Sequence, residues 1–157
     1  MWLRELMWDS HGIWSGSLRE FLQFVRKFKI CYPEFLKELA KDLESQKRIF
    51  HEKNICHRDL KPDNIIIRSG MKYLFTDYGL AGIFKNITQL MGICGTLKYL
   101  PEYIQESDKA KIKFCEMNPF ENDEYALKKI HYEAEEATKG AKMEDKASIE
   151  KKFVDYC

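Results

Sequence analysis

The hydrophobic pattern of this chain changes period once, and the change falls on a loop crowded with polar side chains. Ahead of it, "GSLREFLQFVRKF" carries Leu18, Phe21, Leu22, Val25 and Phe28 on one helical face. Ser17, with Glu20 three residues later, forms a capping box that starts this helix. A second stripe, Phe35, Leu36, Leu39, Ala40, Leu43 and Phe50, follows Pro33, which suits a first helical turn. Lys47 interrupts the stripe, and Asn54 suits the left-handed residue that ends it. Beyond the loop, "NIII" (64–67) and "MKYLFTDYG" flank the turn residues Ser69 and Gly70, and the pattern predicts a hairpin leading into Asp77. Two helices, a polar loop, a hairpin and an acidic turn make an α+β pattern, mainly helical with a short hairpin beside the loop.

Composition narrows the classes. With 157 residues, 45% of them hydrophobic, the chain can bury one core and is short for two domains. Lys and Arg number 26 against 25 Asp and Glu, for a net charge of +1, so no excess charge marks a nucleic-acid or membrane partner. The five cysteines, Cys31, Cys56, Cys94, Cys115 and Cys157, include no CxxC pair and fit free thiols in a reducing compartment. Arg4, Glu5 and Asp9 interrupt any apolar signal core in "MWLRELMWDSHGIW", and no apolar run reaches membrane-spanning length. A soluble, cytoplasmic protein is expected. His51 and His131, with no Cys or His at metal spacing, are expected at the surface or at helix ends.

The loop reads "HRDLKPDN", His57 to Asn64. An aspartate on a loop can accept a hydroxyl proton, and Asp59 is the candidate. Lys61 beside it can neutralise a phosphate. Asn64 and Asp77 offer hard oxygen ligands of the kind magnesium takes. These are the parts of a phosphoryl-transfer site.

"HRDLKPDN", "DYG" and "GTLKYLPE" resemble the catalytic loop, magnesium-binding turn and activation-segment end of eukaryotic protein kinases. The resemblance covers about residues 16 to 127. It implies ATP and magnesium as cofactors, Asp59 as the base that orients a substrate hydroxyl, and Lys61 at the transferring phosphate. It implies Lys61, Asn64 and Asp77 as ATP-binding residues, the last two holding the metal. Lys61 directly after "HRDL" is the pattern of the serine/threonine type. Arg58 is implied as the cation available to a phosphorylated activation segment, with Thr88 and Thr96 in that segment and His57 packing beneath the loop. Asp123, in "NPFENDEYALKKI", stands in the place of the aspartate that braces the loop from below.

The departures shape the remaining expectations. No GxGxxG and no V-A-x-K strand lysine occurs, so residues 1–103 read as a partial kinase large lobe without its small lobe. Tyr78 replaces the usual Phe after Asp77, and "YLPE" is one residue short between Tyr99 and Pro101. Leu80, Ile83, Phe84, Ile87, Leu90 and Met91 recur at helical spacing, which predicts a packed helix in the activation segment. Glu124, Lys128, Lys129, Glu133, Glu135 and Glu136 put charge on too many faces for an expected core helix, so residues 104–157 read as a divergent charged helical tail, partly disordered, with a break at Gly140. Three readings stay open: a serine/threonine kinase domain completed by a partner lobe and acting on a protein substrate, a catalytically inactive kinase-like binding module, and a truncated gene product.

Overall fold

The structure, a computed structural model, describes residues 14–157; the reading of the N-terminal stretch 1–13 lies outside them. The chain opens with β1 (Trp14–Ser17) and enters α1 (Leu18–Phe28) through the expected capping box, the Ser17 side chain accepting from the Glu20 N–H and the Glu20 carboxylate from the Ser17 N–H. Leu18, Phe21, Leu22 and Val25 are buried as the stripe predicts, joined by Phe24, while Phe28 is half exposed. A short β2 (Ile30–Cys31) precedes α2 (Phe35–Glu52). Pro33 lies in the turn ahead of α2, two residues earlier than the sequence suggested. Asn54 takes φ 58°, the left-handed turn expected of it.

The hairpin forms as expected. β3 (Ile55–Cys56) leads to the loop, a single 3₁₀ turn spans Pro62–Asn64, and β4 (Ile65–Arg68) pairs antiparallel with β5 (Lys72–Phe75) in the sheet order β1-β4-β5. That order leaves one side of β5 as an edge, with backbone groups that water or side chains must satisfy. Helix α2 does so: Asp42 accepts from the Tyr73 N–H at 3.1 Å, and Gln46 accepts from the Phe75 N–H at 2.9 Å while donating to the Tyr73 carbonyl at 2.7 Å. Polar residues of a helix thus replace the missing strand.

The activation segment corrects one expectation. Residues 80–91 are not a helix: β6 (Gly82–Ile83) pairs with β3, and β7 (Gln89–Gly92) pairs antiparallel with β8 (Phe114–Met117), after α3 (Glu102–Lys109) has intervened. Ile83 is 80% exposed and Leu90 69%. Of the six, Met91 packs on the small cluster of Leu100, Ile104 and Met117, no one apolar surface gathers the whole stripe, and strand partners distant in sequence take the backbone instead. Phe84 N–H, bonded to the Asn54 carbonyl at 2.8 Å, pins the segment to the end of α2.

Residues 104–157 correct a second. They are no loosely attached tail: α4 (Pro119–Thr138) and α5 (Lys146–Tyr156) join the same core as α1 and α2, β9 (Lys142–Met143) between them pairs with β2, and the expected boundary at residue 103 falls inside α3. Ala126, Ile130, Ala134 and Ala137 form a narrow buried stripe along α4, small enough for close helix packing. Of the six charges that argued against burial, only Glu133 is buried; Glu124, Lys128, Glu135 and Glu136 are exposed and Lys129 is half exposed. The break at Gly140 is present, at φ 72° just past the end of α4. In α5, Ile149 and Phe153 are fully buried, and the Phe153 ring meets those of Phe21 and Phe24 at 5.1 and 5.6 Å. No described helix is long and apolar enough to cross a membrane.

Because Phe153 anchors α5 in the shared core, Phe153→Ala is expected to destabilise the whole domain by about 3–5 kcal/mol. Urea unfolding followed by circular dichroism checks this; a loss confined to a few tenths of a kcal/mol would mean that α5 is peripheral.

Candidate functional site

The loop after β3 is shaped from beneath. Asp123, buried in the first turns of α4, accepts the His57 and Arg58 backbone N–H groups at 2.8 and 2.9 Å, so the bracing contact implied by the resemblance is made. Arg58 sits at φ 70°, a left-handed conformation that costs a non-glycine residue and is held here by those two bonds. His51, in the last turn of α2, lies 3.2 Å from the same carboxylate and stacks edge-on against Phe120. It is a helix-end residue, as expected, but largely buried, with a bracing contact that its spacing did not reveal. His57 is buried beneath the loop, its Nε2 2.9 Å from the Thr76 carbonyl and its ring against Phe75 and Tyr78. Tyr78, the substituted aromatic, donates its hydroxyl to the Phe75 carbonyl at 2.9 Å.

Both oxygens of Asp59 are engaged. Oδ1 accepts from the Thr96 N–H at 3.0 Å and the Thr96 hydroxyl at 2.8 Å; Oδ2 accepts from the Asn64 amide at 3.2 Å and lies 3.5 Å from the Lys61 ammonium. Lys61 also donates to the Thr96 hydroxyl at 2.8 Å. Thr96 comes this close because Gly95 precedes it. At φ 92°, a Cβ on Gly95 would stand 2.4 Å from the Arg58 carbonyl oxygen, so only glycine lets the segment cross the loop.

Asn64 and Asp77 lie at one end of the hairpin. The Ile65–Phe75 pairing continues into a bond from the Thr76 N–H to the Asn64 carbonyl at 2.9 Å, and Asp77 follows at φ 58°. The Asn64 amide nitrogen donates to the Asp59 carbonyl and carboxylate, and its Oδ1 has no hydrogen-bond partner among the described residues. Asp77 is exposed, with one long bond of 3.4 Å from the Gly79 N–H. Two hard oxygens on residues at one end of the hairpin, free of strong donors among the described residues, fit magnesium in their chemistry; the ion takes few protein ligands and completes its shell with water and phosphate oxygens.

The expected activation-segment residues separate. Thr96 belongs to the centre. Thr88 is exposed, and Arg58 turns elsewhere, donating to the Cys94 sulfur at 2.6 Å with its guanidinium 4.8 Å from the Phe84 ring centroid.

Beside the loop lies a cluster that the sequence did not disclose. The Tyr99 hydroxyl accepts from Arg19 at 2.5 Å and donates to buried Glu133 at 3.0 Å, while Lys98 and Arg19 pair with Glu133 at 2.8 and 3.2 Å. Burial would raise the Glu133 pKa, but the bonds from Lys98 and Tyr99 and the Arg19 charge outweigh it and hold the carboxyl below its ordinary value. Arg19, the Lys98–Tyr99 pair and Glu133 are distant in sequence, and no local spacing signals their contact. His51, Cys56 and Asp123 also gather their ligand atoms within 4.8 Å. Both Asp123 oxygens already accept loop N–H bonds, and burial beside Asp123 pushes the Cys56 thiol up to about 12, so the group serves the brace as it stands.

A family model described as the protein kinase domain matches residues 13–114, which contain every one of these loop and hairpin residues. The chain belongs to the protein kinase family. Among its relatives, the Serine/threonine-protein kinase AtPK1/AtPK6 of Arabidopsis thaliana is 45% identical over 56 residues, 35% of this chain and 12% of that protein. Serine/threonine-protein kinase RAD53 of Saccharomyces cerevisiae is 39% identical over 75 residues, 46% of this chain and 9% of that protein. The Inhibitor of nuclear factor kappa-B kinase subunit beta of Mus musculus is 38% identical over 103 residues, 60% of this chain and 13% of that protein. The chain therefore spans only a small part of the length of these relatives.

Two outcomes follow from this geometry. Gly95→Ala is expected to displace Thr96 from Asp59 and to lower stability by roughly 1–3 kcal/mol, read as a shifted unfolding midpoint and altered amide exchange at residues 58–60 and 95–97. For Glu133, a folded pKa below the unfolded one means stability that is full above the ordinary carboxylate range and is lost as pH falls through the folded value. Between about pH 7 and pH 3 the melting temperature should fall less steeply in Glu133→Gln than in the wild type; parallel curves would remove Glu133 from the acid response.

Proposed function

We propose that the chain is the catalytic-loop and activation-segment portion of the large lobe of a serine/threonine protein kinase, transferring phosphate from ATP to a protein hydroxyl. The observation that carries this reading is the Asp59 carboxylate, oriented by Asn64, Lys61 and Thr96. A base held in one rotamer by hydrogen bonds presents its lone pairs in a fixed direction, as proton acceptance from a positioned hydroxyl requires. Lys61, already turned toward Asp59, is the cation that meets the transferring phosphate. Asn64 Oδ1 and the Asp77 carboxylate would hold magnesium, which when bound with ATP offsets the charge of the phosphates. That relatives such as AtPK1/AtPK6 and RAD53 are named serine/threonine kinases supports the substrate class.

Phosphoryl transfer asks protein groups for little covalent work, and the rate comes from holding the phosphates in line. The 157 residues contain no GxGxxG and no V-A-x-K strand to hold them from above. Transfer by this chain accordingly depends on a small lobe supplied from outside these residues, and the chain acts where such a partner is present, in the cytoplasm.

The test is incorporation of radiolabelled phosphate into serine peptides of several charge types, by the chain alone and mixed with a recombinant kinase small lobe. No transfer is expected from the chain alone. Transfer with the lobe should fall by roughly 10²–10⁴-fold in Asp59→Asn, and a comparable loss is expected in Asp77→Asn. Turnover that survives both substitutions would sink the site assignment. A chain that stays silent with every small lobe, yet binds a kinase, would favour the inactive binding module instead.

A further inference from the structure

His51, Cys56 and Asp123 meet beneath the loop because short local devices bring them there. Asn54, in its left-handed turn, redirects the chain between the last turn of α2 and β3, and the pairing of Cys56 with Gly82 of β6 fixes where that strand lies. Asp123 arrives from the first turns of α4. One ligand atom from each of the three lies within 4.8 Å of the other two, a convergence that their spacing in the sequence did not announce. Cys56 is fully buried and Asp123 nearly so, while the His51 side chain is 14% exposed and borders a cleft of about 560 Å³ between the end of α2 and the start of α4.

The brace leaves donors to spare. A carboxylate has about four lone-pair sites. The His57 and Arg58 N–H groups take one on each oxygen of Asp123, and Oδ2 also lies 3.2 Å from His51 Nε2. In a tetrahedral complex with metal–nitrogen and metal–oxygen bonds of about 2.0–2.1 Å, two such ligand atoms stand about 3.3 Å apart. His51 and Asp123 already have that separation. A thiolate about 2.3 Å from the ion stands about 3.6 Å from each of them, against the 4.8 Å limit that contains the three atoms here, so the sulfur needs a shift of about an ångström. Charge favours the same complex. A divalent ion with one carboxylate, one thiolate and one neutral imidazole makes a set of no net charge, which burial penalises least. Burial and the Asp123 charge push the Cys56 thiol up to about 12, so it keeps its proton against hard cations and yields it only to an ion that binds sulfur strongly. Magnesium, which prefers oxygen ligands throughout, is poorly served by this donor set.

We infer that His51 Nε2, Cys56 Sγ and Asp123 Oδ2 form a binding site for one thiophilic divalent ion of the zinc type, with a water from the cleft as fourth ligand. On binding, the Cys56 thiol gives its proton to solvent and the sulfur bonds the ion through the freed lone pair. His51 binds as the tautomer protonated on Nδ1, so the ion takes the place of a hydrogen between Nε2 and Oδ2. The His57 and Arg58 N–H bonds remain, and they orient the carboxylate as outer hydrogen bonds do around metal ligands. The ion ties α2, β3 and α4 together under the loop, and its binding is independent of the proposed phosphoryl transfer.

Cobalt(II) takes the same geometry as zinc and is coloured, so the test is a titration of the 157-residue chain with Co²⁺ followed by absorption. A tetrahedral visible spectrum is expected together with a thiolate-to-cobalt charge-transfer band and, in weak buffer, release of a proton as the ion binds. Added Zn²⁺ should remove both bands and excess Mg²⁺ should leave them. Cys56→Ser should abolish the charge-transfer band, and His51→Gln should weaken binding by at least about tenfold. Should Cys56→Ser unfold the chain, the variant with Cys94, Cys115 and Cys157 all changed to serine decides in its place: it keeps both buried thiols, Cys31 and Cys56, and is expected to keep the band. An octahedral spectrum without proton release in the unaltered chain would overturn the inference. So would a thiolate band that persists in folded Cys56→Ser, binding indifferent to His51→Gln, or loss of the band from the folded triple variant.

Discussion

The Asp123 carboxylate accepts the backbone N–H groups of His57 and Arg58 while lying almost wholly out of water. Hydrogen bonds to a charged acceptor in such a place contribute about 1.5–3 kcal/mol each, and losing the acceptor would leave two buried donors without partners. The left-handed turn at Arg58 depends on them, and through that turn so does the direction in which Asp59 leaves the loop. Helix α4 is thereby more than a core element. Its N-terminal cap, the Asn118 side chain accepting from the Phe120 N–H, sets the helix start, and the helix start sets where Asp123 stands. A chain of local choices beginning at residue 118 fixes the geometry of a loop some sixty residues earlier.

Burying charge is handled the same way at Glu133. An ion left in a low-dielectric interior without partners would neutralise itself by taking up a proton. Arg19 from α1, Lys98 and Tyr99 instead surround this one and keep it ionised, and the ionised group then ties α1, the 3₁₀ turn and α4 together. The same contacts leave the cluster without net charge, two carboxylates, Glu133 and Asp63, against two cations, Arg19 and Lys98.

How much of this could be read from residues alone depended on whether the partner was local. The capping box at Ser17 and Glu20, the left-handed Asn54 and the 65–75 hairpin all rest on contacts within a few residues, and each was legible. For α4 the number of charges is a poor guide, since what matters is the face each takes; at 100° per residue, the small stripe of Ala126, Ile130, Ala134 and Ala137 leaves most of them facing water. The activation segment was misjudged for the opposite reason. Its apolar residues fit a helical period, but Phe114–Met117, a strand partner more than twenty residues away in sequence, takes the backbone, and no local signal announces such pairing. In the site, Asp59, Lys61 and Asn64 were legible from their spacing, and Asp123 from the resemblance. The contact of Thr96 with Asp59 was not, since it depends on a steric fact about Gly95 and the Arg58 carbonyl that exists only in three dimensions.

That contact also says which part of the machinery these residues build unaided. Among the described residues, the side chains and N–H that bond the Asp59 carboxylate lie between positions 61 and 96, His57 accepts the Asp59 N–H, and the brace beneath comes from position 123. None of these bonds waits for a nucleotide or for another lobe. Preorganisation of this kind places its energetic cost in folding rather than in the reaction, since the dipoles around the carboxylate need not be rearranged when a hydroxyl arrives. The exposed Asp77 and the open Oδ1 of Asn64 differ: among the described residues no strong donor fixes either oxygen. The loop is therefore bonded unequally, the Asp59 carboxylate held by the chain itself and Asn64 Oδ1 and the Asp77 oxygens left open.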